Sequence, residues 1–163
     1  MIVKNIIEEL IKNQQIALNS GNPPFAALIV YKDKIIASVS NNSRKSGNPL
    51  HHAELLAIQS VIQTHGSEVL INSHLYSTNE PCPMCIGACV WSGIPMVTYF
   101  LDQKDVFNIR GWGKFMPAHD IALADDSGIV IKGPVMNEDM LKYHEIFWKT
   151  DNNSIKKHSI HIK

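Results

Sequence analysis

Two short clusters of metal-ligating and acidic residues stand out in this chain of 163 residues. The first is His52-Ala53-Glu54, and the second is Pro81-Cys82-Pro83-Met84-Cys85. Zinc prefers imidazole nitrogen and thiolate sulfur, and three protein ligands leave the fourth tetrahedral position open. Cysteines three residues apart in the first turn of a helix point to one side, and the helix N-terminus favours the thiolate form. The pattern therefore predicts a zinc site made by His52, Cys82 and Cys85.

Glu54 lies two residues after the histidine. Its carboxylate can therefore approach a water molecule at the open position without binding the metal itself. Zinc lowers the pKa of such a water to about 7, and a carboxylate beside it can pass the proton to a ring nitrogen and then to a leaving amine. These residues predict hydrolytic removal of an amine, with Glu54 as the proton shuttle. A closed structural zinc site with Cys89 as fourth ligand is the alternative, and it leaves the His-x-Glu spacing unexplained.

Hydrophobic periodicity and turn residues predict the elements that position these clusters. Helices are expected at about residues 3–18, 52–65, 84–91 and 137–149, and strands at 25–31, 35–40, 74–77, 95–100 and 129–131. Residues 108–119, rich in glycine and aromatic residues, are expected to form a loop. The order predicts a single α/β domain over residues 1–150, a three-layer α/β/α sandwich with a mixed five-stranded sheet. Residues 151–163 are predicted to be a polar C-terminal tail.

The composition limits the possible classes of protein. Fifteen basic and fifteen acidic residues give no net charge, so the chain lacks the basic field of a dedicated nucleic-acid-binding protein. No apolar stretch approaches the roughly 20 residues that span a bilayer, and the acidic, interrupted N-terminal segment is unlike a signal peptide. We therefore expect a cytoplasmic protein. The three cysteines lie within eight positions, which indicates metal or thiol chemistry rather than disulfides.

The two motifs in register resemble those of the cytidine deaminase-like zinc hydrolases. Cys82 follows Glu54 by 28 positions, and the resemblance extends from about Pro24 to Phe100. It implies a Zn²⁺ cofactor, a small nucleobase or nucleoside substrate, and Glu54 as the catalytic residue. It also implies a substrate pocket whose candidate residues are Asn41 to hold the base, Phe25 to line the ring, the backbone of Ala53, and Asn79 with Glu80 beside the leaving amine.

The branch of this family is harder to assign. The Cys-Pro-Met-Cys core followed by Trp91-Ser92-Gly93 is most similar to bacterial guanine deaminases and their relatives, which favours a purine. Trp91 either stacks on the base or packs against the protein. Those relatives form homodimers that often exchange a C-terminal segment, a role open to Tyr143, Phe147 and Trp148 unless these side chains pack into the core. The stretch 108–114 lacks the acidic element common in that group.

Two alternatives remain open. The tRNA-specific adenosine deaminases share both motifs and are usually basic toward the C-terminus, where this chain has Lys156, Lys157 and Lys163. Phosphate contacts would then have to come from Arg44, Lys45 and Arg110, and the zero net charge argues against this class. A zinc-stabilised binding module without turnover is the second alternative, which the presence of Glu54 disfavours.

Overall fold

The computed structural model describes the backbone of residues 2–151 and the side chains of residues 3–150. A mixed five-stranded sheet lies at its centre, with strand order β2-β1-β3-β4-β5. β1 is antiparallel to both β2 and β3, whereas β3, β4 and β5 run parallel. The strands are β1 Ala26–Tyr31, β2 Lys34–Ser40, β3 Ser73–Asn79, β4 Met96–Leu101 and β5 Val130–Lys132. All five predicted strands are present.

Six α-helices and one 3₁₀ segment cover the sheet. They are α1 Ile2–Asn19, α2 Ala53–His65, the 3₁₀ segment Ser67–Asn72, α3 Pro83–Trp91, α4 Gln103–Arg110, α5 Ala118–Asp125 and α6 Glu138–Asp151. Buried residues of α1 and α6 form one core cluster with β1 and β4. Those of α2 and the sheet form a second cluster on the opposite face, together with residues of α3 and α5. The predicted three-layer α/β/α sandwich is therefore confirmed.

The position of β1 inside the sheet, between β2 and β3, accounts for its continuous apolar sequence. Ala27 and Ile29 face the α2 side, and Ala26 and Leu28 face the α1 side, all with 0% exposure. A strand covered on both faces has no polar side to present, so the alternation typical of half-exposed strands is absent.

Part of the predicted loop at residues 108–119 is wrong. Residues 108–110 end α4, and residues 118–125 form α5. Asp102 is the N-cap residue of α4: its carboxylate accepts a hydrogen bond from the Lys104 backbone, while the Asp105 side chain accepts one from the Asp102 backbone. This capping box stabilises a helix of only eight residues, too short for a clear hydrophobic period. Gly111, with φ of 80°, ends it in the left-handed conformation.

Among the described helices, none has the length and apolar character needed to cross a membrane. The predicted tail at residues 151–163 lies outside the described residues, except that Asp151 ends α6.

Candidate active site and metal centre

The three predicted metal ligands come together where α2 and α3 begin. His52 and Cys82 are the extended residues immediately before these helices, and Cys85 lies in the first turn of α3 after Pro83. His52 Nδ1 lies 3.6 Å from both sulfur atoms, and the two sulfur atoms are 3.6 Å apart. Zn–S bonds of about 2.3 Å and Zn–N bonds of about 2.0 Å, arranged tetrahedrally, require ligand separations of roughly 3.5–3.8 Å. The donor set and its spacing therefore fit a zinc ion.

The electrostatics of this group favour a thiolate. Hydrogen bonds, first from Cys85 and then with His52, lower the pKa of Cys82 to about 4 despite its partial burial. The hydrogen bond between His52 and Cys82 also raises the pKa of His52. Zinc binds the deprotonated thiol, so Cys82 is prepared for metal binding.

Glu54 lies beside the ligand group without belonging to it. Its side chain is buried in the first turn of α2, where one carboxylate oxygen accepts a hydrogen bond from Ser77 Oγ at 3.0 Å. The other oxygen lies 3.5 Å from Cys85 Sγ. Burial, and then the nearby Cys82 charge, raise the pKa of Glu54 above its ordinary value. A buried carboxylate beside the metal ligands is positioned to take up and release a proton.

Asn41 and Phe25 lie together at the ends of the first hairpin. The Asn41 backbone N–H donates to the Phe25 carbonyl oxygen at 2.8 Å. The Asn41 side chain is 3% exposed, and its Oδ1 accepts hydrogen bonds from the backbone and hydroxyl of Ser43. The hydrogen bonds with Ser43 fix the direction of the Asn41 amide, with its NH₂ at the other end. Ala53, between His52 and Glu54, has 0% exposure, its backbone included, so the structure shows no surface of Ala53 open to a ligand.

The family model for the cytidine and deoxycytidylate deaminase zinc-binding region matches residues 2–101. The chain belongs to this deaminase family. A probable cytosine deaminase from Schizosaccharomyces pombe is 29% identical over 147 residues, which cover 87% of this chain and 90% of the relative. The tRNA-specific adenosine deaminase 2 of Xenopus laevis is 29% identical over 175 residues, with 99% and 94% coverage.

Guanine deaminases are similar in both sequence and structure. The Bacillus subtilis enzyme is 40% identical over 89 residues, covering 54% of this chain and 57% of that protein. Its solved structure superposes with a TM-score of 0.58, covering 94% of this chain and 92% of that chain at 25% identity. A guanine deaminase from Nitrosomonas europaea, 20% identical, shares the fold with a TM-score of 0.73 over 86% of this chain and 81% of that chain. The chain is thus a hydrolytic deaminase of nucleobases or nucleosides, with a zinc cofactor.

Trp91 is not brought to the metal centre of this deaminase. It lies at the opposite end of α3 from Cys82 and is 92% exposed. Its neighbours along that surface are Ile62 of α2 and Ile71 of the 3₁₀ segment. Within one chain this position suits neither base stacking nor core packing, the two roles that the sequence left open.

Glu80 organises the chain that follows the metal loop. Its two carboxylate oxygens accept hydrogen bonds from the backbone N–H groups of Ala118, at 2.8 Å, and Gln103, at 3.3 Å. Glu80 thereby ties the starts of α4 and α5 to the segment that carries Cys82. The carboxylates of Asp102 and Asp105 are used in the capping box, so neither replaces the acidic element missing from residues 108–114.

A buried histidine is the residue at this site that the sequence did not reveal. His144 of α6 has 0% exposure, and its Nε2 lies 3.0 Å from Oδ1 of Asn79. Its ring also meets the Phe25 ring edge-on, with centroids 5.0 Å apart. Phe147 and Trp148 are buried beside it, so α6 packs its aromatic side chains against its own chain. The helical spacing of His144 with Trp148 is the only sequence signal, and it does not distinguish a site residue from a core residue.

Proposed function

We propose that this deaminase acts on a free purine base of the guanine type. The preference for a small substrate rests on the contacts of Arg44 and Arg110, two of the cations that the sequence offers for binding phosphate. The Arg44 guanidinium lies 4.8 Å from the Phe147 ring and 5.8 Å from the Trp148 ring. That of Arg110 lies 4.2 Å from the Trp112 ring and donates to the carbonyl oxygens of Trp112 and Gly113. Both guanidinium groups contact aromatic rings of the chain, which supports the proposal of a small substrate over a polynucleotide.

The choice of a guanine-type ring rests on the Bacillus subtilis relative. That guanine deaminase has the highest identity among the relatives compared above, and its match spans slightly over half of each chain. The Cys-Pro-Met-Cys core of the present chain lies within the region that the family model matches.

The reaction consumes water and releases ammonia, and the ring carbon exchanges its amino group for oxygen. When bound by His52, Cys82 and Cys85, zinc supplies an acidified water as the nucleophile. Glu54 would take one proton from that water and pass it to the adjacent ring nitrogen. It would then take the second proton from the hydroxyl group on the ring carbon and deliver it to the amine, which leaves as ammonia as the carbon–oxygen double bond forms. Ser77 holds one Glu54 oxygen at 3.0 Å, which keeps the carboxylate oriented between these positions. The Asn41 NH₂ and the Phe25 ring hold the base in place.

The test is ammonia release from a panel of substrates at fixed zinc content. The panel contains guanine, guanosine, adenine, adenosine, cytosine, cytidine, an aminotriazine and an anticodon stem-loop RNA. We expect guanine to be turned over fastest. Glu54→Gln should lower turnover at least ~100-fold, because general acid–base catalysis typically contributes that much, while zinc content and thermal unfolding stay unchanged. Full activity of this variant would refute the role of Glu54 as the proton shuttle.

The same panel separates the tRNA alternative. That alternative is favoured by the Xenopus laevis relative, whose match covers 99% of this chain. Turnover of the stem-loop RNA alone, with binding that weakens steeply as salt rises, would replace the proposed substrate class. It would also direct attention to Lys156, Lys157 and Lys163, which lie outside the described residues.

We further propose that two copies associate through the surface around Trp91. Trp91, Ile62 and Ile71 are 92%, 43% and 57% exposed, and apolar patches of this kind mark protein interfaces. Large aromatic side chains at the centre of an interface contribute most of its stability. Sedimentation equilibrium should therefore give a dimer for the natural chain and a monomer for Trp91→Glu. A monomeric natural chain would refute the proposal.

A further inference from the structure

A second amide group lies next to the catalytic network, and its NH₂ has no hydrogen-bond partner among the described residues. Asn79 ends β3 and is 5% exposed. Its backbone N–H donates to Ser77 Oγ at 3.4 Å, and Ser77 in turn donates to Glu54. Two hydrogen bonds therefore connect Asn79 to the catalytic carboxylate. Asn79 lies at the end of β3 that leads to the metal ligand Cys82.

The orientation of the Asn79 amide follows from its neighbours on α6. An indole N–H can only donate, and Nε1 of Trp148 lies 3.2 Å from Nδ1 of His144. Nδ1 of His144 must therefore accept, which places the proton of the neutral ring on Nε2. That N–H donates to Oδ1 of Asn79 at 3.0 Å. Burial, reinforced by the nearby Arg110 charge, lowers the pKa of His144 to about 3 and keeps the ring neutral.

The remaining end of the Asn79 amide is an unused donor. Nδ2 is buried and has no hydrogen-bond partner among the described residues. A buried donor without a partner is costly, and native proteins normally satisfy such groups. The donor is held in place rather than free to turn, because reversing the amide would bring its NH₂ against the N–H of His144. A ligand acceptor that enters the site would satisfy it.

We propose that Asn79 is a specificity-determining residue that donates a hydrogen bond to an acceptor atom of the substrate ring, and that His144 and Trp148 are positioning residues that fix its direction. The acceptor is a carbonyl oxygen or an unprotonated ring nitrogen. With the NH₂ of Asn41, the site then offers two amide donors, which matches the acceptor-rich edge of an oxopurine. This inference rests on the proposed deaminase function and adds to it the hydrogen-bonding pattern that the ring must present.

The experiment pairs protein variants with substrate analogues that each lack one acceptor. The substrates are guanine, its 7-deaza and 9-deaza analogues, and 2-aminopurine, which lacks the carbonyl oxygen, all assayed for kcat/KM with zinc-loaded protein. Asn79→Asp is the main variant, because it keeps an oxygen that accepts from His144 and replaces the NH₂ donor with a second oxygen; Asn79→Leu, which removes the amide without adding a charge, is assayed beside it. We expect it to lower kcat/KM for guanine about tenfold or more, the usual effect of leaving a buried polar partner unmatched. With the natural chain, kcat/KM for one analogue should be lower than for guanine by a similar factor. With Asn79→Asp, kcat/KM for that analogue and for guanine should then be equal.

The positioning role of His144 is tested by a measurement that a purely structural role would leave unchanged, the discrimination between guanine and its analogues. His144→Phe keeps an aromatic ring against Phe25 but removes the N–H, and it should abolish discrimination against the same analogue. His144→Gln restores a donor to Asn79 and should recover most of that discrimination. Equal losses for every substrate in these variants would indicate a structural role and overturn the inference. Asn79→Asp and Asn79→Leu both retaining the natural discrimination would also overturn it.

Failure of the proposed substrate can be told apart from failure of this inference. If guanine is inert and another ring of the panel is turned over, the guanine proposal fails. The same cycle is then run with deaza analogues of that ring, and the result for Asn79 stands or falls independently. If no ring is turned over, dissociation constants for guanine and its deaza analogues with zinc-loaded Glu54→Gln and with its double variant carrying Asn79→Asp replace the kinetics. Equal affinities in both proteins would overturn the inference.

Discussion

Replacing Ser77 with alanine should slow the deaminase without removing its metal. Ser77 is 1% exposed, and its hydroxyl donates to Glu54 at 3.0 Å. A hydrogen bond to a charged group contributes about 1.5–3 kcal/mol, and each ~1.4 kcal/mol corresponds to a tenfold change in rate. If the bond is needed to orient the carboxylate in the transition state, kcat falls between roughly 10-fold and 150-fold. Zinc per chain should stay unchanged, because no ligand is altered.

Ser73→Ala is the matched control for this change. Ser73 lies four residues earlier on the same strand, is 2% exposed, and donates to the Val69 carbonyl oxygen at 2.9 Å. Both variants lose a buried hydroxyl donor, and Ser77 also accepts a longer hydrogen bond, at 3.4 Å, from the Asn79 backbone, so thermal unfolding should shift at least as much in Ser77→Ala as in Ser73→Ala. Only Ser77→Ala should lose turnover in the ammonia-release assay. A Ser77→Ala protein within twofold of the natural rate, with full zinc content, would refute the orienting role.

Three further predictions concern the metal, a buried histidine and a helix start. Cys82→Ser removes a thiolate ligand, so zinc content by elemental analysis should fall from about one atom per chain to near zero after chelator dialysis; retention of one atom would contradict the ligand set. Since burial lowers the pKa of His144 to about 3, below its ordinary value of about 6.5, the unfolded chain alone takes up that proton as pH falls. The free energy of unfolding should therefore drop by up to ~1.4 kcal/mol per pH unit between about pH 6 and 4. Urea titrations of His144→Phe should show a smaller decrease in the free energy of unfolding between these pH values. The same decrease as in the natural chain would contradict the prediction. Asp102→Ala should lower the melting temperature by about 2–4 °C, because a lost helix cap costs about 1 kcal/mol; Asp120→Ala, without a capping hydrogen bond, is the control, and equal melting temperatures would count against the cap.

The metal centre was predictable because its residues are close in sequence to helix starts. His52 and Glu54 share one turn, and Cys82 and Cys85 share another, so local geometry aligns each pair before the fold is considered. Only the meeting of the two pairs required the fold. The strands were predictable for a similar reason, since β1 is a continuous apolar run flanked by turn residues.

The contribution of α6 to the site was not predictable, because it depends on contacts between residues far apart in the chain. Asn79 and His144 are 65 residues apart, and nothing in the local sequence of His144 distinguishes it from a core residue. The exposure of Trp91 likewise depends on how α2 and α3 pack, which periodicity over nine residues does not define. Helix α4 was missed because its stability comes from the capping box rather than from an amphipathic pattern.

The distance along the chain between Asn79 and His144 has a consequence for synthesis on the ribosome. The three metal ligands and Glu54 all precede β4, whereas the helix that fixes the Asn79 amide is the last element described. A nascent chain that has emerged only as far as α5 already carries its complete ligand set but lacks the contacts that direct the Asn79 donor. The residues that would hold zinc and the helix that would set the choice of ring are therefore made at different stages of synthesis.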